Sequence, residues 1–574
     1  MQKRWHVLKP DPDCVRELCR RLKCSPVVAT LLVNRRIHSP EEAARFLSPT
    51  LAHLRPPFAL KDMPTAVKRV TRAIMQQENI LVFGDYDVDG ITAAAVLFDF
   101  LRNTGARVSY YIPHRIMEGY GLKPDHIDRV AVPGKIDLII TADCGSSSQA
   151  AVRRAAAAGI DVVVTDHHRV PDPLPPAVAV VNPKRPDCTA GFEHLAGVGV
   201  AMALVICLRT HLRSSGVWQN RAEPNLKDLC DLVALGTVAD AVPLVLENRV
   251  LVAAGIELMR SGKACAGVMG LLENCRTSCR DVTAEDLAFK IVPRLNAAGR
   301  MDHAHQAARL LLTQTPADAR QIAASLDELN KRRKDTEQEL LRNIGQYLAD
   351  HPYELDLRAL VLAAEGWHEG VLGIVAARLV EEHGRPVVLI STRNGIGKGS
   401  ARSIAGFNLY RGLAACADRL EDFGGHSMAA GLGIRTANIA AFKADFQRAA
   451  AAGGAECHPA PELCIDCVLD FEQITDQLID GIDALQPFGN GNSQPLFSAG
   501  DVRVGHSRLV GVRHRRMLLR QSETGRSFHA IQFNIDPANA LPERLRQIAF
   551  HLQWNRWNGK KSVQLVIREI LTNP

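Results

Sequence analysis

The chain has 574 residues, too many for one hydrophobic core, and its 47% apolar and 23% charged residues exclude a fibrous or wholly disordered protein. The longest apolar run, Leu195 to Leu208, is too short to cross a bilayer, and MQKRWHVLKPDPD at the start has no signal-type apolar stretch, so a soluble, cytoplasmic protein with no membrane contact is expected. The net charge of +7 is uneven: residues 501–574 hold 13 Lys and Arg against 5 Asp and Glu, leaving the remainder at −1, which points to a polyanion on the last segment.

From residue 80 to about 240, short apolar runs alternate with helical stretches. ILVF (80–83), RVSYYI (107–112), IDLIIT (136–141), IDVVVT (160–165) and AVAVV (177–181) read as strands. ITAAAVLFDFLRNTG and SSSQAAVRRAAAAG read as helices that end at Gly105 and Gly159. This is βαβ order, hence a mainly parallel sheet. The run 195–208 reads as a buried helix. Residues 315–350 lack Pro and Gly between Pro316 and Gly345 and predict one long, exposed connecting helix.

A second α/β unit follows, with strands RALVLAA (358–364) and RPVVLIS flanking the helix EGVLGIVAARLVEEHG. NGIGKGSARS and DFGGHSMAAG read as glycine-rich turns. From about 457 the pattern becomes short alternating strands, MLLRQ, SFHAIQF, RQIAFHLQWNRW and SVQLVIREI, as in a small β-barrel. The 14 cysteines are scattered. The C-x-x-C of Cys464 and Cys467, with Cys457 and His458 upstream, has no second pair to complete a zinc site, so reduced cysteines are expected.

Three βα loops carry the chemistry. GDYDVDG follows the first strand with Asp85, Asp87 and Asp89; ADCG supplies Asp143; DHH supplies Asp166, His167 and His168. In a parallel sheet these loops share the carboxyl edge, where ligands bind. A further acid, Asp240, ends the apolar helical stretch VALGTVADAVPL. Carboxylates this close repel one another unless cations lie among them. The oxygen-rich set with imidazole suits two Mn²⁺ or Mg²⁺ ions about 3.5–4 Å apart, a geometry for in-line phosphoryl displacement.

These segments resemble the successive motifs of the DHH phosphoesterases. PRLNAAGR, GWHEGVLGIVAARL, GKGSARS and GGHSMAAG resemble the second, DHHA1-type domain of that family. LQPFGNGNSQPLF (485–497) resembles the junction to an oligonucleotide-binding (OB-type) barrel in its single-strand-specific exonuclease branch. The likeness runs from about residue 20 to the end. It implies an α/β multidomain protein: a DHH metal domain with N-terminal extension (1–314), a connecting helix (315–350), a DHHA1-type domain (351–456) and an OB barrel (457–574). It also implies that one metal is held by Asp89, Asp143, His167 and Asp240, and the other by Asp87 and Asp143 with Asp85. Asp143 would bridge the ions, and His168 would lie beside the scissile phosphate as acid/base or charge stabiliser. Cys144 stands where such relatives commonly carry Asn.

By the same resemblance, Arg115, Ser400 and Arg402 form the pocket for a terminal 5′-phosphate, Arg300 contacts the backbone, and His368 and His426 line the cleft. Gly397 and Gly399 free backbone amides beside Ser400 and Arg402 for that anion. The barrel carries Arg513, Arg515, Arg516 and Arg520 in VRHRRMLLR, and Trp554 and Trp557 beside Arg556, Lys560 and Lys561, a composition suited to single strands. The expected activity is metal-dependent 5′→3′ hydrolysis of single-stranded DNA to 5′-mononucleotides in recombination and mismatch or base-excision repair, together with a helicase and a single-strand-binding protein. The alternatives are a phosphodiesterase for short oligonucleotides or cyclic dinucleotides, and a non-catalytic DNA-binding scaffold.

Overall fold

The computed structural model describes residues 4–219, 221–453, 462–511, 513–521, 525–536, 541–557 and 560–572. The chain forms two compact units: Pro56–Asp240 with Gly255–Pro459, and Met1–Arg55 with Ala241–Ala254 and Ala460–Pro574.

The first unit opens on five parallel strands, β1 (Asn79–Gly84), β2 (Arg107–Tyr111), β3 (Leu138–Ala142), β4 (Asp161–Thr165) and β5 (Ala179–Val181), in the order β2-β1-β3-β4-β5. β1, β3 and β4 are apolar and buried on both faces, as a sheet covered by helices requires. The chain leaves β1 toward β2 and returns on the other side for β3. The carboxyl ends of β1 and β3 therefore flank the switch point, where a crevice opens.

Helix α1 (Val88–Thr104) follows β1 and ends at Gly105, whose φ of 81° closes it in the left-handed region. Helices α2 (Gln149–Ala157), α3 (Gly197–Ser214), α4 (Cys230–Ala239) and α5 (Val292–Met301) follow. By length and composition α3 is apolar enough to cross a membrane, but it lies mostly buried inside the protein.

Residues 316–350 form one helix, α6 (Pro316–Asp350). It is not the exposed connector expected. Ala319, Ala323, Leu326 and Leu329 recur at helical spacing and are buried, and Leu340, Ile344 and Leu348 join the core of the next sheet. Most of its charged residues cover the outer face, while Glu337, 1% exposed, is buried and paired with Arg333 at 2.8 Å.

The second sheet has strands β6 (Leu360–Glu365), β7 (Val387–Arg393), β8 (Ile396–Arg402), β9 (Leu420–Gly425) and β10 (Ala429–Arg435), ordered β9-β10-β8-β7-β6. Helix α7 (Glu369–His383) joins β6 to its parallel neighbour β7; the other pairs are antiparallel. The segment read as the glycine-rich turn NGIGKGSARS is mainly strand β8. A Cβ on Gly397 would stand 2.8 Å from Ile390, and one on Gly399 2.9 Å from Leu432, so these glycines admit neighbouring side chains to a tight sheet face. DFGGHSMAAG spans β9, a turn at His426–Met428 and the start of β10.

In the other unit, β11 (Cys467–Val468) leads into β12 (Phe497–Val510), β13 (His514–Gln521), β14 (Ser527–Gln532), β15 (Arg544–Trp557) and β16 (Lys560–Leu571). Pairing of β12 with β15 closes these last five strands into a barrel around Phe497, Met517, Leu519, Ile548, Phe550 and Leu565. The helices Pro12–Leu22 and Pro26–Asn34 add Leu18, Leu31 and Leu32 to that core. The span 1–314 expected as one domain is thus divided, with residues 4–55 and 241–254 in the barrel's unit.

Candidate metal centre

The β1 loop and α1 place three acids by local rules. Asp87 is the N-cap of α1 and accepts from the Gly90 amide at 3.0 Å; Asp89 lies in the first turn, where the helix dipole favours a carboxylate. Asp85, just past β1, is 3% exposed. Asp143 follows β3 with φ of 64°, a left-handed backbone that only a few non-glycine residues adopt. Asp240 caps the carboxyl end of α4.

Side chains distant in sequence converge here. His167 Nε2 lies 3.2 Å from Asp143 Oδ1, 3.5 Å from Asp240 Oδ2 and 3.7 Å from Asp89 Oδ2. Two sets of donor atoms each gather within 4.8 Å: Asp89, His167 and Asp240, and Asp85, Asp87 and Asp143. Asp143 with His167 and His168 forms a third such set. Asp85 Oδ1, Asp143 Oδ1 and His167 Nε2 are buried without a hydrogen-bond partner.

Burial, then Asp89, Asp87 and the other acids, push Asp143 well above the carboxylate range; burial and Asp87 do the same for Asp85, and burial and Asp240 for Asp89. Burial and Asp87 push Asp240 up to about 7. Burial and the neighbouring His168 lower His167 to about 3, leaving a neutral imidazole. Unsatisfied oxygens, mutual repulsion and a neutral ring are the properties of a hard-cation site, and Mn²⁺ or Mg²⁺ fits them. Cys144, next to Asp143, is fully buried with its thiol pushed up by burial, and its Sγ lies 3.9 Å from Phe83 O.

His168 is held from outside the acid cluster. Its Nδ1 lies 2.9 Å from Asp166 Oδ1 and 3.0 Å from the Tyr120 hydroxyl. Burial opposes its charge, but Asp166, Asp87 and Asp240 outweigh burial and push it up to about 9. Asp166 also accepts the backbone amides of His167, His168 and Ser146, and these bonds with His168 hold it below its usual range against burial. Sequence reasoning quoted Asp166 as part of DHH but did not include it in the site. Tyr120, two residues before Leu122 in a glycine-flanked loop, carried no signal.

A cationic pocket adjoins the acids. Strand alternation puts Lys398, Ser400 and Arg402 on one face of β8, and α7 packs closely there: a Cβ on Gly373 would stand 2.8 Å from Arg402 and 2.9 Å from Ser400 Oγ. Arg300, near the end of α5, donates to Gly370 O at 3.1 Å. Arg115 lies 4.8 Å from the Tyr86 ring centroid. Burial, then Arg115 and Arg402, lower Arg300 to about 9, and burial with Arg115 lowers Arg402. Three guanidiniums that repel one another beside a helix N-terminus describe an anion site. His368 is the N-cap of α7, accepting from Gly370 N at 3.1 Å, and His426 stacks on His168 at 6.3 Å between ring centroids.

On the barrel, the run around residue 515 is not one basic stripe. Along β13, Arg515 (8% exposed), Met517 and Leu519 point inward, while Arg516 and Arg520 point outward; Arg513 precedes the strand and is exposed. Outward, Arg516 pairs across strands with Arg508 and Arg520 with Arg503, and Arg503 faces Arg544 on its other side. Like charges directly opposite are unfavourable without a counter-anion. Lys561 covers the Trp554 ring at 3.7 Å, and Trp554 Nε1 donates to Asp480 at 3.0 Å, so that ring is not an open stacking platform. The side chains of Arg556, Trp557 and Lys560, like Cys457 and His458, lie outside the described residues. Cys464 is exposed and Cys467 half-buried, and among the described residues neither joins a metal-type cluster or a disulfide.

Family models match in the order the geometry has: the DHH family N-terminal domain over residues 79–237, the DHHA1 domain over 356–452 and the RecJ OB domain over 465–569. The chain is 36% identical over 563 residues to the single-stranded-DNA-specific exonuclease RecJ of Escherichia coli, covering 95% of this chain and 96% of that one. It is similar to the crystal structure of Thermus thermophilus RecJ with Mn²⁺ at a TM-score of 0.83 and 31% identity, over 100% of this chain and 80% of that one. The Mg²⁺ complex of the same protein gives 0.77 and 29%, over 100% and 79%. By sequence, domain order and fold, this chain belongs to the RecJ family of single-stranded-DNA-specific exonucleases.

Proposed function

We propose that the chain hydrolyses single-stranded DNA from the 5′ end to 5′-mononucleotides with two Mn²⁺ or Mg²⁺ ions. The observation that carries this is a pair of neighbouring donor sets, Asp89, His167 and Asp240 on one side and Asp85, Asp87 and Asp143 on the other, with Asp143 Oδ1 only 3.2 Å from His167 Nε2. When bound, paired cations supply an activated water and charge stabilisation for in-line displacement at phosphorus.

The chain's own groups do the rest. His168, with Nδ1 anchored by Asp166 and Tyr120, keeps Nε2 for the substrate, and its bond to Asp166 favours the protonated ring, a proton donor or a stabiliser of the phosphate. Arg115, Ser400 and Arg402 bind the terminal 5′-phosphate, and Arg300 the next backbone phosphate. Seating the terminal phosphate fixes which phosphodiester lies over the acids, and so sets polarity and product length. His426 flanks His168, while His368 acts on α7 by capping it. The barrel's outward arginines hold the strand, with Arg513 and Arg516 among them; Arg515 serves the barrel interior.

Such an enzyme works on DNA in the cytoplasm, in recombination and mismatch or base-excision repair, where a helicase supplies the single strand and a single-strand-binding protein covers it. The intact acid set speaks against a non-catalytic scaffold, and the opposed arginine pairs of the barrel against a substrate as short as a dinucleotide. The test uses a 5′-phosphorylated oligonucleotide labelled at its 3′ end, with Mn²⁺. Stepwise shortening of the label-bearing strand with release of 5′-mononucleotides is expected; loss of the label first, by shortening from the 3′ end, overturns the proposal.

A further inference from the structure

The anion pocket and the His168 site share one loop. Residues 113–121, PHRIMEGYG, leave the end of β2 and carry Arg115 near one end and Tyr120 near the other. The loop is a closed turn. Glu118 N and Gly119 N donate to His114 O at 2.8 and 3.2 Å, Ile116 N and Met117 N donate to His114 Nδ1 at 3.2 and 3.3 Å, and the Tyr111 hydroxyl donates to Glu118 Oε1 at 2.8 Å. Arg115 lies inside this ring of bonds, and Tyr120 directly follows its last member, Gly119.

Each end is tied to a different part of the chemistry. Arg115 sits on the Tyr86 ring, between Asp85 and Asp87 in the chain, and its charge acts on Arg300 and Arg402. Lys398 Nζ donates to Ile116 O at 3.2 Å from β8, the strand that carries Ser400 and Arg402. At the other end, the Tyr120 hydroxyl donates to Asp143 O at 3.3 Å and meets His168 Nδ1 at 3.0 Å. Tyr120 thus touches both Asp143, the donor that lies 3.2 Å from His167 of the neighbouring set, and the imidazole of His168 beside them.

We infer that this loop couples recognition of the strand end to the hydrolytic step. A terminal phosphate drawn between Arg115 and the β8 side chains fixes the loop, and the fixed loop sets His168 and the Asp143 backbone through the Tyr120 hydroxyl. Tyr120 is a positioning residue, and the 5′-phosphate acts on rate as well as on affinity. This rests on the assignment of the pocket to the 5′-phosphate.

The experiment compares the full-length enzyme with Tyr120→Phe and Arg115→Ala on otherwise identical strands bearing 5′-phosphate or 5′-hydroxyl. Affinity is measured by fluorescence anisotropy in EDTA, and the single-turnover rate at saturating enzyme with Mn²⁺. Wild type binds the phosphorylated strand more tightly and also cleaves it faster at saturation, by roughly the tenfold that one well-placed hydrogen bond can supply. Tyr120→Phe keeps its affinity for the phosphorylated strand within about twofold, while its saturating rate falls to that on the hydroxyl strand, whose own rate changes little. Arg115→Ala loses the affinity difference. If Tyr120→Phe keeps the phosphate-dependent rate, or loses the same factor on both strands, the coupling is wrong while the pocket stands. If wild type binds both strands equally, the pocket assignment itself fails. Unchanged melting of Tyr120→Phe, which lacks only a hydroxyl, excludes misfolding as the cause.

Discussion

Asp89 and Gly197 lie 108 residues apart, yet Asp89 Oδ2 accepts the Gly197 amide at 2.7 Å, and its other oxygen accepts Val198 N at 2.8 Å. The carboxylate thus sits on the N-terminus of α3, whose dipole offsets part of its burial cost. Gly197 is also where α3 meets Asp143: a Cβ there would stand 2.3 Å from Asp143 Oδ1. Gly197→Ala therefore forces the Asp143 side chain aside. We expect Mn²⁺ affinity, measured by calorimetry, to fall on the order of 10–100-fold, as when a ligand's support is disturbed, and melting in EDTA to fall as well, because Asp143 Cβ would lie 2.5 Å from the new methyl and no rotamer moves it. Unchanged affinity would show that Asp143 can shift without loss.

Asp143→Asn separates metal binding from stability. Asn tolerates the left-handed φ of 64° and removes one of several carboxylates that repel one another in the interior. In EDTA the variant should melt higher, by about 2–4 °C for each kcal/mol of repulsion removed. Added Mn²⁺ should then raise its melting far less than that of wild type, and exonuclease activity should vanish. A variant that melts lower in EDTA would mean the acids do not strain the metal-free fold.

The pH dependence of the metal-free protein follows from Asp240, pushed up to about 7 by burial and then Asp87. Its folded pKa lies above its unfolded value of 3.8, so the folded form binds the extra proton between them. The stability it contributes is full below about pH 4 and is lost as pH rises toward 7. In EDTA, wild type measured relative to Asp240→Asn should lose stability over that window by urea titration. With Mn²⁺ the trend should reverse, because the cation needs the deprotonated carboxylate.

Arg402→Lys keeps the charge but loses the planar fork beside Ser400. Affinity for a 5′-phosphorylated strand should fall about tenfold with that for the 5′-hydroxyl strand nearly unchanged. Equal losses on both strands would remove Arg402 from the terminal-phosphate pocket.

On the barrel, the side a residue faces decides its effect. Reversing Arg508 and Arg516 together should weaken binding to long strands and lower the slope of log K against log salt by roughly two, with cleavage of a dinucleotide nearly spared. Arg515→Ala should instead lower the melting temperature of the chain and leave that slope unchanged, since Arg515 lies on the inward side of β13. The opposite pattern would reverse the assignment of the two faces.

The sequence by itself determined which residues could do chemistry and in what order the elements come. An apolar run on a strand buried from both sides, and acids in the loops after such runs, are local facts, so β1 to β4 and the candidate donors Asp85, Asp87, Asp89, Asp143 and His167 could be named without coordinates, as could Asp240 at the end of an apolar helical stretch. What only the tertiary structure decided depends on neighbours far away in the chain. Whether IGKGSAR is turn or strand depends on Ile390 and Leu432 pressing against its glycines. Whether α6 is exposed depends on which cores receive Leu326 and Ile344, and whether Arg515 meets solvent depends on the closure of the barrel. Asp166 meets His168 from two residues away, but Tyr120 matters only because the sheet brings together the loops that follow β2 and β4. Periodicity records that a side chain faces inward; contacts between distant segments settle what it meets there, and hence its chemistry.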